Sequence, residues 1–265
     1  MRCSVRFNLF GTMALRAAAA AAAAAVALTA APLAQAQAAD AEHPSAKRPF
    51  KLAPSADLVY TIKARQRGIA INGDATVQWR AGDGKYSIAA ESRAAIFGKV
   101  VENHSEGAID DFGLAPVTFH EKRIRKDPYT TSFKRDAKTI AFTESDTTYP
   151  ILGGEQDRLS AQWQLAAIAR AAPDKFKPGS EWNLFVAGRR DAEVWNFKVT
   201  KIETIQTGAG EVSAVHLVKE PPAKSPGQQV DLWLAPSMDW YPVRVRFNDP
   251  DGDFVDQVLE KIVKK

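Results

Sequence analysis

The chain has 265 residues, 35 Lys and Arg against 31 Asp and Glu, and a single cysteine. A formal charge of +4 leaves no basic excess of the kind on which nucleic-acid binding rests. One cysteine, Cys3, excludes a disulfide within the chain and the thiolate ligands of a zinc site.

Residues 1–38 have the layout of a secretory signal peptide. Arg2, Arg6 and Arg16 precede the apolar run Ala17 to Ala31, interrupted only by Thr29. Ala34-Gln-Ala36 and Ala36-Gln-Ala38 follow, both small-x-small cleavage patterns. The run is shorter than the ~20 residues a spanning helix needs. No Arg-Arg pair precedes it, which favours Sec-type over twin-arginine export. No small-residue-then-Cys site follows it, so the expectation is a periplasmic protein without a lipid anchor. Removing the leader removes Cys3 and three arginines, which takes the formal charge from +4 to +1. Residues 39–53 mix Ala, Pro, Ser and charges without a period and read as a flexible lead-in. Residues 54–265 then form one β-rich domain.

Period two dominates that domain. Leu58, Tyr60 and Ile62 share one face of a predicted strand, and Ala75, Val77 and Trp79 share one face of the next. The tight-turn sequence Ala81-Gly-Asp-Gly84 leads into a strand from Lys85. Further strands are predicted over 99–108, 117–126, 130–134 and 139–143, separated by turns such as Asp127-Pro128. Gln156 to Arg170 breaks the rule. Leu159, Trp163, Ala166, Ala167 and Arg170 recur at helical spacing, which predicts a helix opening near Asp157 or Ser160 and closing before Pro173. Strands resume over 181–187, 193–205, 211–219, 229–234, 243–247 and 254–263. The lone helix must bury its apolar stripe against the sheet. The expected fold is therefore mainly all-β: a long curved antiparallel β-meander or incomplete barrel of about 11–13 strands, with one helix packed on its concave face. An outer-membrane barrel is not expected, because no uniform lipid-facing band alternates along the strands.

Catalytic signals are sparse. The four histidines, His43, His104, His120 and His216, have no motif partners, and no Gly-x-Ser-x-Gly elbow exists. No His pair has metal-ligand spacing, and Asn248-Asp-Pro-Asp-Gly-Asp253 reads as a turn rather than a calcium loop. No catalytic residue, metal or cofactor is assigned. Glu144, Asp146, Glu155 and Asp157 are the carboxylates a hydrolase of envelope material would use, against a plainer reading as a solvated loop around Tyr149-Pro150. Lys122 to Lys126, with Lys134-Arg135, is the densest positive patch. It suits either phosphate headgroups or a charge-protected edge strand.

The order of short motifs resembles the exported bacterial proteins grouped as domain-of-unknown-function family 3108. It runs from Gly68-Ile-Ala-Ile-Asn-Gly-Asp-Ala75 through Asp157-Arg-Leu-Ser160 and Lys177-Pro-Gly-Ser-Glu-Trp182. It ends in Asp231-Leu-Trp-Leu-Ala-Pro236, Tyr241-Pro-Val-Arg-Val-Arg246 and Asp251-Gly-Asp253. That resemblance implies a periplasmic β-rich protein with no activity to transfer. The C-terminal strand, turn and strand are also similar in architecture to LolA- and LolB-type lipoprotein carriers, with Ala235 where their acid precedes proline.

A curled sheet over one helix leaves a concave apolar face, and incomplete cover leaves a lipid-sized pocket. The expectation is a non-enzymatic protein that binds an apolar or envelope ligand there and serves envelope assembly or maintenance. An interaction scaffold and a hydrolase are the alternatives. A lipid, a lipoprotein or an envelope protein is the expected partner. Ligand contacts are assigned to Trp233, Arg244, Arg246, Trp163 and Trp79. Trp233 sits opposite Leu232 and Leu234 and becomes core if both sheet faces are covered.

Overall fold

The computed structural model describes residues 43–221 and 227–265, so the expected signal peptide lies outside the described residues. The chain first forms eight strands in a meander. These are β1 (Ala56–Gln66), β2 (Ile69–Gly82), β3 (Lys85–Ala94), β4 (Gly98–Asp110), β5 (Gly113–Arg123), β6 (Tyr129–Lys134), β7 (Thr139–Phe142) and β8 (Ser145–Pro150). A two-residue strand, β9 (Gln156–Asp157), leads into α1 (Ser160–Ala171). Six strands complete the chain: β10 (Glu181–Ala187), β11 (Ala192–Thr207), β12 (Gly210–Lys219), β13 (Gln229–Leu234), β14 (Pro242–Asn248) and β15 (Phe254–Lys264).

All fifteen strands join one open sheet in the order β8-β7-β6-β5-β4-β3-β2-β1-β15-β14-β13-β12-β11-β10-β9. Among the described residues, only β9 and β10 pair in parallel, with α1 as the crossover between them. The first and last strands pair at the centre, with Asp57 opposite Val263. The two free edges, β8 and β9, are neighbours in sequence. The curved antiparallel sheet with one helix is therefore as the periodicity indicates, and it has more strands than expected.

The additional strands are β8 and β9. Ser145-Asp-Thr-Thr-Tyr-Pro has no apolar alternation, and two residues are too few to show a period. The solvated loop expected around Tyr149-Pro150 is instead a strand, with Tyr149 buried opposite Ile140. The basic strand is no edge either. β5 lies between β4 and β6, and Arg135 turns inward to Pro116 O and Glu155.

Alternation places the core where the sequence put it. Leu58, Tyr60, Ile62, Ala75, Val77 and Trp79 are all buried in one cluster. The helix joins the two halves of the sheet by presenting different side chains to each. Trp163 packs into the cluster over β1 to β3, whereas Ala161, Leu165 and Ile168 pack against β10 to β14. Complete burial of Leu165 and Ile168 contributes roughly 1.5–3 kcal/mol each.

The described part of the stretch expected as a flexible lead-in is held along its length, with Ser45 Oγ donating to Leu152 O and Arg48 Nη1 to Asn183 O, both at 3.0 Å. Lys51 N donates to Ala167 O at 2.9 Å and Arg170 Nη1 to Leu52 O at 2.9 Å. Trp79 Nε1 donates to Ala53 O at 3.0 Å and Tyr241 OH to Pro54 O at 2.6 Å. Most of these contacts use backbone carbonyls, which every residue carries, so composition is blind to them.

Candidate functional site

Helix α1 does not fill the concave face. Beside it lies a cavity of about 540 Å³, within the range of roughly 300–1,000 Å³ usual for small-ligand sites. The cause is local. Inward positions on β1 near its start carry Leu58 and Tyr60, but β2 and β3 offer Gly73, Ala75, Ala90, Ser92 and Ala94. Small side chains leave a space that Leu159, Gln162 and Trp163 of the helix start border but do not fill. Gly73 has a second role, since a Cβ there would lie 2.0 Å from Arg93 O. Its bare backbone lets β3 approach.

Alternate turns of an antiparallel meander lie at the same end. The β1–β2, β3–β4, β5–β6 and β14–β15 turns therefore form one rim. Phe97, Ile124, Lys126 and Asp249 of that rim line the cavity, so it opens there. Ile69, Ile96, Phe97 and Ile124 are exposed on the same rim. Tyr60, Val77, Phe119 and Trp163 form an apolar lining, and Arg93, Arg123 and Arg158 supply charge, with Arg123 paired to Glu121, which also lines the cavity.

Of the five assigned ligand contacts, Trp163 lines this cavity. Trp79 does not: it is 1% exposed, stacked on Trp163 at 4.6 Å and hydrogen-bonded to the lead-in. Trp233, Arg244 and Arg246 come together as their spacing implies, but on the opposite face. There Trp233 stacks on His216 at 4.1 Å and 3°, and its Nε1 donates to Glu203 Oε1 at 2.9 Å. Arg244 lies over the Trp233 ring and forks onto Asp256 at 2.8 and 2.6 Å. Arg246 donates to Asn248 Oδ1 at 2.7 Å. The distal half of the β11–β12 hairpin covers this layer. Ile205, Val212 and Ala214 share its buried cluster, and Gly208 N donates to Leu259 O of β15 at 2.8 Å. Both faces of β13 are therefore covered, and Trp233 is core.

His216 has partners that no motif announced. Its Nε2 lies 2.9 Å from Asp231 Oδ1, and its Nδ1 lies 3.2 Å from Thr200 Oγ1. This is the hydrogen-bond order of a nucleophile, base and orienter. Neither the 540 Å³ cavity nor the smaller pocket beside it is lined by any of the three. Asp231 also accepts from Gln229 and Asn248 at 2.8 and 2.7 Å. Burial would raise its carboxyl, but the bonds from His216 and Gln229 outweigh burial and hold it below the usual range.

The four carboxylates of the hydrolase alternative have other work. Glu144 pairs with Arg189 and Arg190, and Asp146 is exposed on β8. Glu155 and Asp157 are fully buried. Asp157 Oδ1 accepts from Leu159 N and Ser160 N, both at 2.8 Å, and Ser160 Oγ accepts from Asp157 N at 2.9 Å. Ser105 Oγ of β4 donates to Asp157 Oδ2 at 2.5 Å. The residue thus caps the helix and ties its start to the sheet.

Burial pushes the Asp157 carboxyl up, beyond what these hydrogen bonds offset. Asp157→Ala is expected to cost about 2 kcal/mol, and Asp157→Asn less, because the amide oxygen still accepts. A raised folded pKa means that the folded state takes up a proton first. Wild-type stability should therefore gain on that of Asp157→Asn as pH falls from 7 towards about 4, which urea denaturation at each pH will measure.

Among the described residues, no helix is long and apolar enough to cross a membrane. No curated protein matches the sequence. Among solved structures, the chain is similar to an exported-protein candidate with a YmcC-like fold from Bacteroides fragilis. That match has 12% identity, covers 83% of this chain and 100% of the other, and gives a TM-score of 0.33. A lipoprotein candidate from Parabacteroides distasonis matches at 12% identity over 83% of this chain and 100% of its own, with a TM-score of 0.32. A DUF1329 family protein from Desulfovibrio piger matches at 6% identity, covering 80% and 86%, with a TM-score of 0.27. The model of the DUF3108 family, proteins of unknown function, matches residues 59–259, from within β1 to within β15, and the chain belongs to that family.

Proposed function

We propose that this protein is a periplasmic, non-enzymatic binder of an apolar, lipid-like ligand, which it holds on the concave face of its sheet in the service of the cell envelope. One observation carries the reading: the cavity of about 540 Å³ between the start of α1 and strands β1 to β5, β14 and β15, with an apolar lining and charged groups beside it. A single acyl chain suits it, because the apolar lining offers ring and aliphatic carbon and the rim offers Arg93, Arg123 and Lys126. The exposed Ile96, Phe97 and Ile124 beside the opening suit entry of such a chain from a lipid surface.

Filling the cavity tests this. Ala90→Phe places a ring in the space without displacing a packed side chain, so the melting temperature should hold or rise. Binding of lauric acid, followed by quenching of Trp163 fluorescence, should weaken at least tenfold. Native mass spectrometry of protein recovered from the periplasm should show a bound lipid on the wild type and none on the variant. A wild-type protein that is ligand-free and blind to lauric acid would end this reading.

A further inference from the structure

We infer that a smaller pocket adjoining the acyl cavity is a subsite for a phosphate-type oxyanion, the head group of the same amphiphile; this rests on the lipid-binding reading above. The pocket has a volume of about 320 Å³. Arg158, Trp195 and Gln228 line both spaces, so a ligand can occupy the two together.

Charge identifies what the pocket takes. Lys219 projects from β12 with its side chain only 7% exposed. Its nearest carboxylate is Glu193 at 3.5 Å, a half-exposed group that already accepts from Trp195 Nε1 at 2.9 Å. Arg158 has no carboxylate partner among the described residues and donates only to Gln228 Oε1, at 3.2 Å. Both cations sit over the same indole, the Arg158 guanidinium 5.9 Å and the Lys219 ammonium 5.0 Å from the Trp195 ring. The ring faces attract cations but do not neutralise them. Lys219 donates to Glu193 Oε1 by one long bond of 3.5 Å, and a single half-exposed carboxylate at that distance neutralises a buried ammonium only in part. Arg189 and Arg190 enclose the same pocket and share the single carboxylate of Glu144. Asp191 and Glu193 also line it, so the pocket is not uniformly basic. The deficit is local, at Lys219 and Arg158. A tetrahedral oxyanion between them would accept from both while its alkyl chain follows Arg158 and Trp195 into the cavity.

The test compares three probes on the full chain after export: decyl phosphate, 1-decanol and inorganic phosphate, each titrated by calorimetry. Wild-type protein should bind decyl phosphate at least tenfold more tightly than 1-decanol. Lys219→Met should bring decyl phosphate to the affinity of 1-decanol and leave 1-decanol unchanged, since Lys219 does not line the acyl cavity. Inorganic phosphate should compete with decyl phosphate only at concentrations about a hundredfold higher. Equal affinity for the two decyl probes in wild type overturns the subsite and leaves the cavity standing. Failure of both probes to bind removes the cavity and the subsite with it. Inorganic phosphate binding as tightly as decyl phosphate makes the pocket a free-oxyanion site and overturns the head-group assignment. Should Lys219→Met fail to fold by circular dichroism, Arg158→Gln replaces it. The preference for decyl phosphate must then fall, and an unchanged preference overturns the proposal.

Discussion

Trp163→Ala is expected to lower the unfolding free energy by about 3–5 kcal/mol, the usual loss for a large aromatic removed from a core. Three contacts go at once. The indole stacks on Trp79 at 4.6 Å and 16°, meets Tyr241 edge-on at 6.1 Å and 75°, and walls the cavity beside α1. The hole cannot close by collapse, because Trp79 is pinned by its hydrogen bond to Ala53 O and Tyr241 by its bond to Pro54 O. A chain of this size should lose on the order of 10 °C in melting temperature. Trp163→Phe should lose less than half as much, since a ring still stacks. Calorimetry of the three proteins measures this. A loss under 1 kcal/mol for Trp163→Ala would mean that the helix is held mainly through Leu165 and Ile168.

Glu155→Ala should be nearly as damaging, about 3–5 kcal/mol, as expected when one member of a buried charged group is removed. The Glu155 carboxylate is fully buried where the two sheet edges approach. It accepts from the backbone N–H groups of Leu152 and Gly153 and faces Arg135 Nη1 at 3.4 Å. His43 sets Nε2 3.1 Å from Oε1 and packs its ring 4.3 Å from that of Phe185. Burial alone would raise this carboxyl, but His43 and the backbone donors outweigh it and hold it below the usual range. With the folded pKa below the unfolded value of about 4.3, the folded state binds fewer protons. Its contribution is fully present above that value and is lost as pH falls through the folded pKa. Wild-type stability should therefore decline below about pH 4 more steeply than that of Glu155→Gln. Denaturant midpoints between pH 3 and 6 decide the matter, and parallel curves would refute the pairing.

Trp163 and Glu155 differ in how they show in the sequence. Trp163 lies on a helical stripe that can be counted, and its burial against period-two strands follows from there being one helix and one sheet. Glu155 sits in Gly153-Gly-Glu-Gln-Asp157, where no period exists and an acid reads as solvated. Its burial depends on Arg135, twenty residues away, and on His43, more than a hundred away. The same contrast divides the ligand assignments. Trp233, Arg244 and Arg246 are neighbours in the sheet because β13 and β14 pair across a short turn, and strand alternation shows that. The hairpin that covers them comes from β11 and β12, whose bulge between Val199 and Lys201 separates the part under the helix from the part on the outer face. No residue type at Thr200 announces that bend.

Lys219 and Arg158 illustrate the limit most plainly. They lie sixty-one positions apart on different elements, and each alone is an unremarked basic residue on a chain with many. Only folding sets both against Trp195.

Taken by itself, the sequence determined the class of fold, the placement of thirteen strands and the helix, the inward faces of the strands and the family. It could do so because strand and helix periods are local, and because a helix with an apolar stripe has only a sheet to bury it. Tertiary structure decided the fifteen-strand order joined through β1 and β15, the cover over Trp233, the burial of Glu155 and Asp157, and the cavity. The physical reason is that a cavity is a difference between two surfaces. The small inward residues from Gly73 to Ala94 can be read in the chain, but whether α1 reaches over them depends on where Trp163, Trp79 and Tyr241 fix its position.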